Sequence, residues 1–269
     1  MNHPTQLPGR RVGPDTDMLS AYVPLPGLGV LPINAFLIRA REPVLLDTGM
    51  AALRDDFMEA LRDLIDPAAL RWIWVTHADA DHVGNLRAVL EAAPQARFVT
   101  NYLGIGKLGL QMLPLERSHM IHPGQTLHVG DRDLLALRPP VYDAPETMAA
   151  FDSHSGTLFS SDCFGAVMQR PAESAAAIAP AALQDGLSLW ATIDAPWLAQ
   201  TGRAQLAAAV RPLRDLEPRQ ILGSHLPPAA GIDDRLFAGL EAALTAPIFN
   251  GPVPRALRET VEAGEPVVA

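Results

Sequence analysis

Thr76-His77-Ala78-Asp79-Ala80-Asp81-His82-Val83-Gly84-Asn85 is the stretch that decides how this chain folds. Just upstream, Arg71-Trp72-Ile73-Trp74-Val75 is a short apolar run rich in β-formers, which predicts a buried strand. Just downstream, Leu86, Val89 and Leu90 recur at helical spacing. The His/Asp cluster therefore falls on a strand-to-helix turn, which can direct several side chains to one point at the end of a sheet. His77, Asp79, Asp81 and His82 lie within six residues and are too polar to bury without a partner. A metal ion is the usual partner for such a set. A solvated turn that binds nothing is the better reading of any one of the four alone, but the spacing of the whole set favours metal.

Composition bounds the rest. A chain of 269 residues makes one large α/β domain or two small ones and can bury a sizeable core. With 48% hydrophobic and 19% charged residues it reads as globular. A net charge of −9 argues against a nucleic-acid partner. One cysteine, Cys163, leaves no internal disulfide framework and no Cys-rich zinc or iron–sulfur site, and it suits a reducing compartment. Met1 to Gly13 is polar, with Pro and Gly, and lacks the apolar segment of a signal peptide. No apolar run approaches the roughly 20 residues of a membrane span. The expectation is a cytoplasmic protein without a membrane partner.

Along the chain, residues 1–20 read as an N-terminal tail, 21–250 as a single domain and 251–269 as a C-terminal tail. Ile33 to Arg39 and Pro43 to Leu46 are expected strands of a meander, and Leu53 to Ile65 an expected helix. Asp47, between the two, reads as that helix's N-cap on its own. A strand is expected over Arg97 to Thr100, and a helix or loop near the site over 101–122. His119 and His122 are read as surface or core residues. Thr126 to Val129 and Asp131 to Leu137 predict a hairpin with Gly130 at the turn. Residues 170–200, rich in Ala and Pro, predict helices and loops covering the site, with Trp190 and Trp197 read as packing residues. Arg203 to Leu216 predicts an amphipathic helix, and Asp233 to Thr245 one more.

The His77–His82 stretch resembles the His-x-His-x-Asp-His motif of the metallo-β-lactamase fold superfamily, with Asp79 where most members carry a second His. A carboxylate there is similar to the flavodiiron proteins and their stand-alone oxygen-binding di-iron relatives, which usually carry Glu. Four further motifs follow this resemblance. Leu45-Leu46-Asp47-Thr48-Gly49 resembles the superfamily's first motif, in which the Asp orients the metal loop without binding metal. Pro140-Val141-Tyr142-Asp143-Ala144-Pro145-Glu146-Thr147-Met148 is similar to a flavodiiron ligand segment, with Asp143 in place of the ligand His. Either Asp143 coordinates instead, or the site is weakened, mononuclear, or completed by His154 or Glu146. Thr157-Leu158-Phe159-Ser160-Ser161-Asp162-Cys163-Phe164-Gly165 resembles the segment whose Asp bridges two metals. Ser224-His225-Leu226-Pro227 resembles the last motif, with His225 as ligand. Cys163 is expected to point away from the site by strand alternation and to be a small buried hydrophobe.

The resemblance covers about residues 25–231, with the motifs in the family's order. It implies an α/β fold, the αββα sandwich of metallo-β-lactamase-like proteins, with two mixed sheets face to face and helices outside. It implies two metal ions: one on His77, Asp79 and Asp143, the other on Asp81, His82 and His225, bridged by Asp162. Asp47 supports the ligands, and Asp81 is also the candidate catalytic residue. Oxygen-rich ligation favours iron or manganese, although affinity order alone favours zinc, and iron is the first choice. The implied partners are O2, NO or a small-molecule substrate. The segment lacks a flavodoxin-like domain and rubredoxin-like Cys pairs, so the expectation is no flavin in this chain, a separate electron donor, and a homo-oligomer as an open option. The first functional expectation is a di-iron protein that binds or reduces O2 or NO. The second is a metal-dependent hydrolase of an ester, lactone or thioester acting through metal-bound hydroxide. A non-catalytic scaffold with a degraded site ranks third.

Overall fold

The computed structural model describes residues 3–251. Its strands are β1 (Thr5–Gln6), β2 (Arg10–Arg11), β3 (Thr16–Leu25), β4 (Gly29–Ile38), β5 (Val44–Leu46), β6 (Trp72–Trp74), β7 (Arg97–Thr100), β8 (Ser118–Met120), β9 (Thr126–His128), β10 (Asp133–Leu137), β11 (Ala149–Asp152), β12 (Thr157–Phe159) and β13 (Gln220–Leu222). Its α-helices are α1 (Arg54–Leu64), α2 (Ala80–Val83), α3 (Leu86–Ala92), α4 (Tyr102–Leu110), α5 (Pro180–Asp194), α6 (Arg203–Arg214) and α7 (Asp233–Ala243).

The strands form two mixed sheets. The first runs β1-β3-β4-β5-β6-β7-β8, with β2 also paired to β3. It is antiparallel from β3 to β5 and parallel from β5 to β8. The second runs β13-β12-β11-β10-β9, antiparallel except for the β12–β13 pair. Alternation along the strands builds three apolar layers. Phe36, Ile38, Leu46 and Trp74 of the first sheet share one buried cluster with Leu134, Ala136, Ala150, Phe159 and Leu222 of the second, which is the centre of the sandwich. Their neighbours Leu37, Leu45 and Ile73 face the other way, onto Phe57 and Leu61 of α1 and Val89 and Leu90 of α3. Leu158 and Ile221 of the second sheet pack outward on Leu187 of α5, Leu206 of α6, and Leu236 and Phe237 of α7. Each large side chain buried this way stabilises the fold by about 1.5–3 kcal/mol. Helices therefore cover both outer faces, which is the expected αββα sandwich.

The elements follow local chemistry. In α1, Phe57, Met58, Ala60 and Leu61 form the buried stripe of an amphipathic helix. The helix stops at Leu64, before the Asp66-Pro67 step that disfavours helical backbone. The β9–β10 hairpin turns through Gly130, whose φ of 89° favours glycine. The expected N-terminal tail is structured instead. Residues of the 1–20 stretch form β1, β2 and the start of β3, and β3 pairs with β4 over its whole length. β1 and β2 are two residues each and β3 is buried on both faces, so none of them offers an alternating pattern to read. Of the expected 251–269 tail, only Gly251 falls among the described residues. No helix among the described residues is long and apolar enough to cross a membrane.

Candidate metal centre

The sandwich brings five loops together at one end: those after β5, β6, β12 and β13, and the connection between β10 and β11. They carry Asp47, the His77–His82 turn, Asp162, His225 and Asp143 respectively. Two of these loops hold unusual backbone. Asp47 sits at φ 58°, and Ser161 and Phe164, on either side of Asp162, at 55° and 70°. Such left-handed conformations cost non-glycine residues free energy and persist only where the surroundings impose them.

Hydrogen bonds lock the loops to one another. The backbone N–H and the hydroxyl of Thr76 donate to the two carboxylate oxygens of Asp47, at 2.8 and 2.7 Å. The N–H and hydroxyl of Thr48 donate to the His82 carbonyl. The Asn85 amide donates to the carbonyls of Thr48 and Met50. α2 packs so closely on this loop that a Cβ on Gly84 would lie 2.3 Å from the Ala51 nitrogen. The Asn34 amide holds the His225 loop through the carbonyls of Gly223 and Leu226. Met148 donates to the Thr76 carbonyl, tying the Asp143 loop to the His77 turn.

These supports fix how each imidazole faces. His82 Nδ1 lies 2.8 Å from Asp47 Oδ2, and His225 Nδ1 lies 2.9 Å from the Pro32 carbonyl. Both acceptors require Nδ1 to carry a proton, which turns Nε2 toward the centre, where it takes either a second proton or a cation. His77 Nδ1 lies 3.1 Å from the Thr76 hydroxyl, whose own proton goes to Asp47. All three Nε2 atoms point at Asp162: 3.4 Å from His77 to Oδ2, 3.2 Å from His82 to Oδ1 and 3.4 Å from His225 to Oδ1. Asp81 Oδ2 lies 3.4 Å from His82 Nε2 and 3.5 Å from His225 Nε2. Asp143 Oδ1 lies 4.0 Å from His77 Nε2.

Ligand atoms fall into overlapping sets within 4.8 Å of one another: His77, Asp79 and Asp143; Asp81, His82 and His225; and His77, His82 and Asp162. The seven residues singled out from sequence thus meet at one place. Nε2 of His77, Nε2 of His82 and Oδ1 of Asp162 are buried without hydrogen-bond partners. Unpaired buried polar atoms cost about 1–3 kcal/mol each. A pair of cations would satisfy all three, so the donors present fit a dinuclear metal site.

The electrostatics agree. Burial disfavours charge on His225, yet Asp162 and Asp81 outweigh it and push its pKa up to about 9. Burial likewise opposes charge on His82, and Asp81, Asp162 and Asp47 raise it well above the ordinary value. Burial opposes ionisation of Asp162 and Asp81 too, but the neighbouring histidines hold both carboxyls well below the usual range. Burial, followed by the nearby acids, raises Asp143. The pocket is built to concentrate positive charge against carboxylates.

Several expectations change. Asp47 is not a helix cap: the turn over 51–53 starts from Met50 without a side-chain cap, and the Asp47 carboxylate is committed to Thr76 and His82. Glu146 and His154 do not join the ligand sets. Glu146 is fully buried and ion-paired with Lys107 at 2.8 Å, and the His154 backbone N–H donates to the Asp152 carboxylate. Cys163 is buried as expected, but it lies in the turn after β12, so its direction comes from that turn and not from strand alternation. Trp197 packs on Tyr142, beside Asp143. Of two residues at the site on the last turns of α5, sequence reasoning gave Trp190 only a packing role and missed Asp194. Trp190 donates to the Asp162 carbonyl at 3.1 Å, with its ring 4.6 Å from that of His225. Asp194 brings a carboxylate oxygen within 4.8 Å of Asp143 and Asp162, and burial, then those two acids, pushes it up to about 8. No motif marks either one in an Ala-rich helix.

The ODP family beta lactamase family matches residues 31–225. Over 134 residues, 49% of this chain, the sequence is 31% identical to an anaerobic nitric oxide reductase flavorubredoxin of Klebsiella pneumoniae. The match spans 28% of that relative, so little more than a quarter of its length is matched by this chain. The fold is similar to the rubredoxin oxygen:oxidoreductase of Desulfovibrio gigas, with a TM-score of 0.76 and 19% identity, covering 88% of this chain and 60% of that one. It is equally similar to a flavo di-iron protein variant of Thermotoga maritima, with a TM-score of 0.76 and 18% identity over 88% of this chain and 60% of that one.

Proposed function

The chain belongs to the ODP beta-lactamase family, and on that premise we propose that it is a di-iron protein that reduces O2 or NO. His77, Asp79 and Asp143 would hold one ion and Asp81, His82 and His225 the other, with Asp162 placed to serve both. The observation that carries this reading is the convergence of three buried imidazole Nε2 atoms on the two oxygens of one buried carboxylate. Four carboxylates among seven donors favour iron or manganese over a softer ion. The choice of O2 or NO rests on the relatives, one named as a nitric oxide reductase and one as an oxygen:oxidoreductase. When bound, the metal pair supplies Lewis acidity and two adjacent redox centres.

The chain's own residues hold the donors and shape the space. Asp47 fixes the His82 tautomer, and the Pro32 carbonyl fixes that of His225. Trp190 walls off the His225 side. Asp81 and Asp143, with side chains 26% and 22% exposed, mark the open side where a small molecule enters. Electrons come from a flavin- or rubredoxin-type donor, the class that the name of the Klebsiella relative points to.

The test is to load the protein with ferrous iron under anaerobic conditions and mix it with O2 or with NO in a stopped-flow spectrometer. Rapid oxidation by O2, or a new absorption band with NO, is the expected result. An iron-loaded protein inert to both, with a zinc-loaded form that hydrolyses esters or thioesters, would overturn the reading.

A further inference from the structure

Asp194 is the last residue of α5 and has no role in the ligand set above. Three features make its position costly for a lone carboxylate. It stands at the C-terminal end of a 15-residue helix, where the helix dipole is negative and anions are disfavoured. One of its carboxylate oxygens lies within 4.8 Å of oxygens of Asp143 and Asp162. Its Oδ2 is buried and makes no hydrogen bond. Like charges at this separation repel, and burial strengthens the repulsion. A cation among the three carboxylates would turn each of these costs into a gain.

A second observation points to the same corner. His77 is wholly buried, its Nε2 has no hydrogen-bond partner, and that atom lies 3.4 Å from Asp162 Oδ2 and 4.0 Å from Asp143 Oδ1. The approach of α5 to the centre is also fixed. Trp190, four residues earlier and so on the same helix face, is anchored to the Asp162 carbonyl. That anchor sets the last turn of the helix, and with it Asp194, over the metal loops.

We propose that Asp194 is a further donor of the centre, contributing its carboxylate to the ion held by His77, Asp79, Asp143 and Asp162. This rests on the dinuclear reading above. It adds a fourth carboxylate to a position that already has three, against two at the position of Asp81, His82 and His225, and so makes it still the harder of the two, suited to ferric iron or manganese.

The experiment titrates metal-free protein with ferrous iron or manganese, anaerobically and against a coloured chelator, in wild type and in Asp194→Asn, Asp194→Ala and Asp194→Glu. Iron K-edge absorption on the loaded samples reads the mean oxygen and nitrogen ligand number. Wild type is expected to take two ions. Asn and Ala should each weaken one ion roughly 10-fold or more while leaving the other unchanged, since even supporting partners act on that scale. Glu should restore most of the affinity. Circular dichroism of the metal-free variants checks that each folds, and Glu, which keeps the charge, decides the matter if Asn and Ala do not. Unchanged affinity for both ions in the Asn or Ala variant, equal loss of both ions, or a Glu variant as weak as Asn would overturn the role of Asp194 alone. A wild type that takes fewer than two ions would overturn the dinuclear reading, and this proposal with it.

Discussion

Asp162 has more to satisfy than any other side chain at the centre, because both its oxygens face imidazole nitrogens from three different loops. Asp162→Ala should therefore lower metal content at both positions, as measured by elemental analysis of the purified protein. Loss of a single ion would show that the carboxylate does not bridge. Asp47 acts at one remove, through Thr76 and His82. Asp47→Ala should leave metal bound but roughly 10–100-fold more weakly, read by chelator competition. An affinity equal to wild type would reduce Asp47 to a loop support. At this scale the sequence was most legible where chemistry is dense. Two His and two Asp within six residues leave few alternatives, and the other candidate ligands lie in motifs with their own flanking residues. Asp194, and the contact of Trp190 with the centre, were illegible because helix packing brings them to the site from a stretch with no local signal. Cys163 was read correctly as a buried hydrophobe, but for the wrong local reason. Burial pushes its thiol well above the ordinary range, so in native protein it should resist thiol reagents at neutral pH and react only on unfolding.

At the scale of elements, the centre depends on a few short strands ending at the same level and on the turns that follow them. β5 and β6 are only three residues each, and their parallel register sets Asp47 beside Thr76. The close approach of α2 to the turn after Met50 makes Gly84 the most exacting position there. An added Cβ would meet backbone atoms of Ala51, Ala80 and Gly49, none of which can yield as a flexible side chain would. Gly84→Ala should cost about 1–3 kcal/mol in denaturant unfolding and also weaken metal binding, because the same helix carries Asp81 and His82. An unchanged midpoint would mean that the loop relaxes freely. The helices with clear apolar stripes, and the strands next to motifs, could be read from periodicity. β1, β2 and most of β3 could not. Their pairing with β4 is set by the sheet as a whole, and their own residues offer no long alternating run.

For the whole molecule, the two sheets bring together residues as far apart in sequence as Asp47 and His225, so folding the sandwich and assembling the centre are one event. The donors are crowded and partly unpaired, which ties metal binding to stability. Saturating one site at 100 times its dissociation constant should raise the unfolding free energy by about 2.7 kcal/mol, or roughly 5–10 °C in melting temperature. Chelation should reverse the gain, and a melting curve indifferent to metal would count against the coupling. The layers and their order were legible because the motifs fix which strands must meet. The electron donor was not, since nothing in a metal centre names the protein that reduces it. Whether the centre holds two iron ions is decided by elemental analysis combined with Mössbauer spectroscopy of protein produced with iron-57 and purified anaerobically. Two irons per chain are expected, in two high-spin sites with nitrogen and oxygen ligation. A single ion per chain, zinc in place of iron despite iron-replete growth, or no metal at all would contradict that expectation.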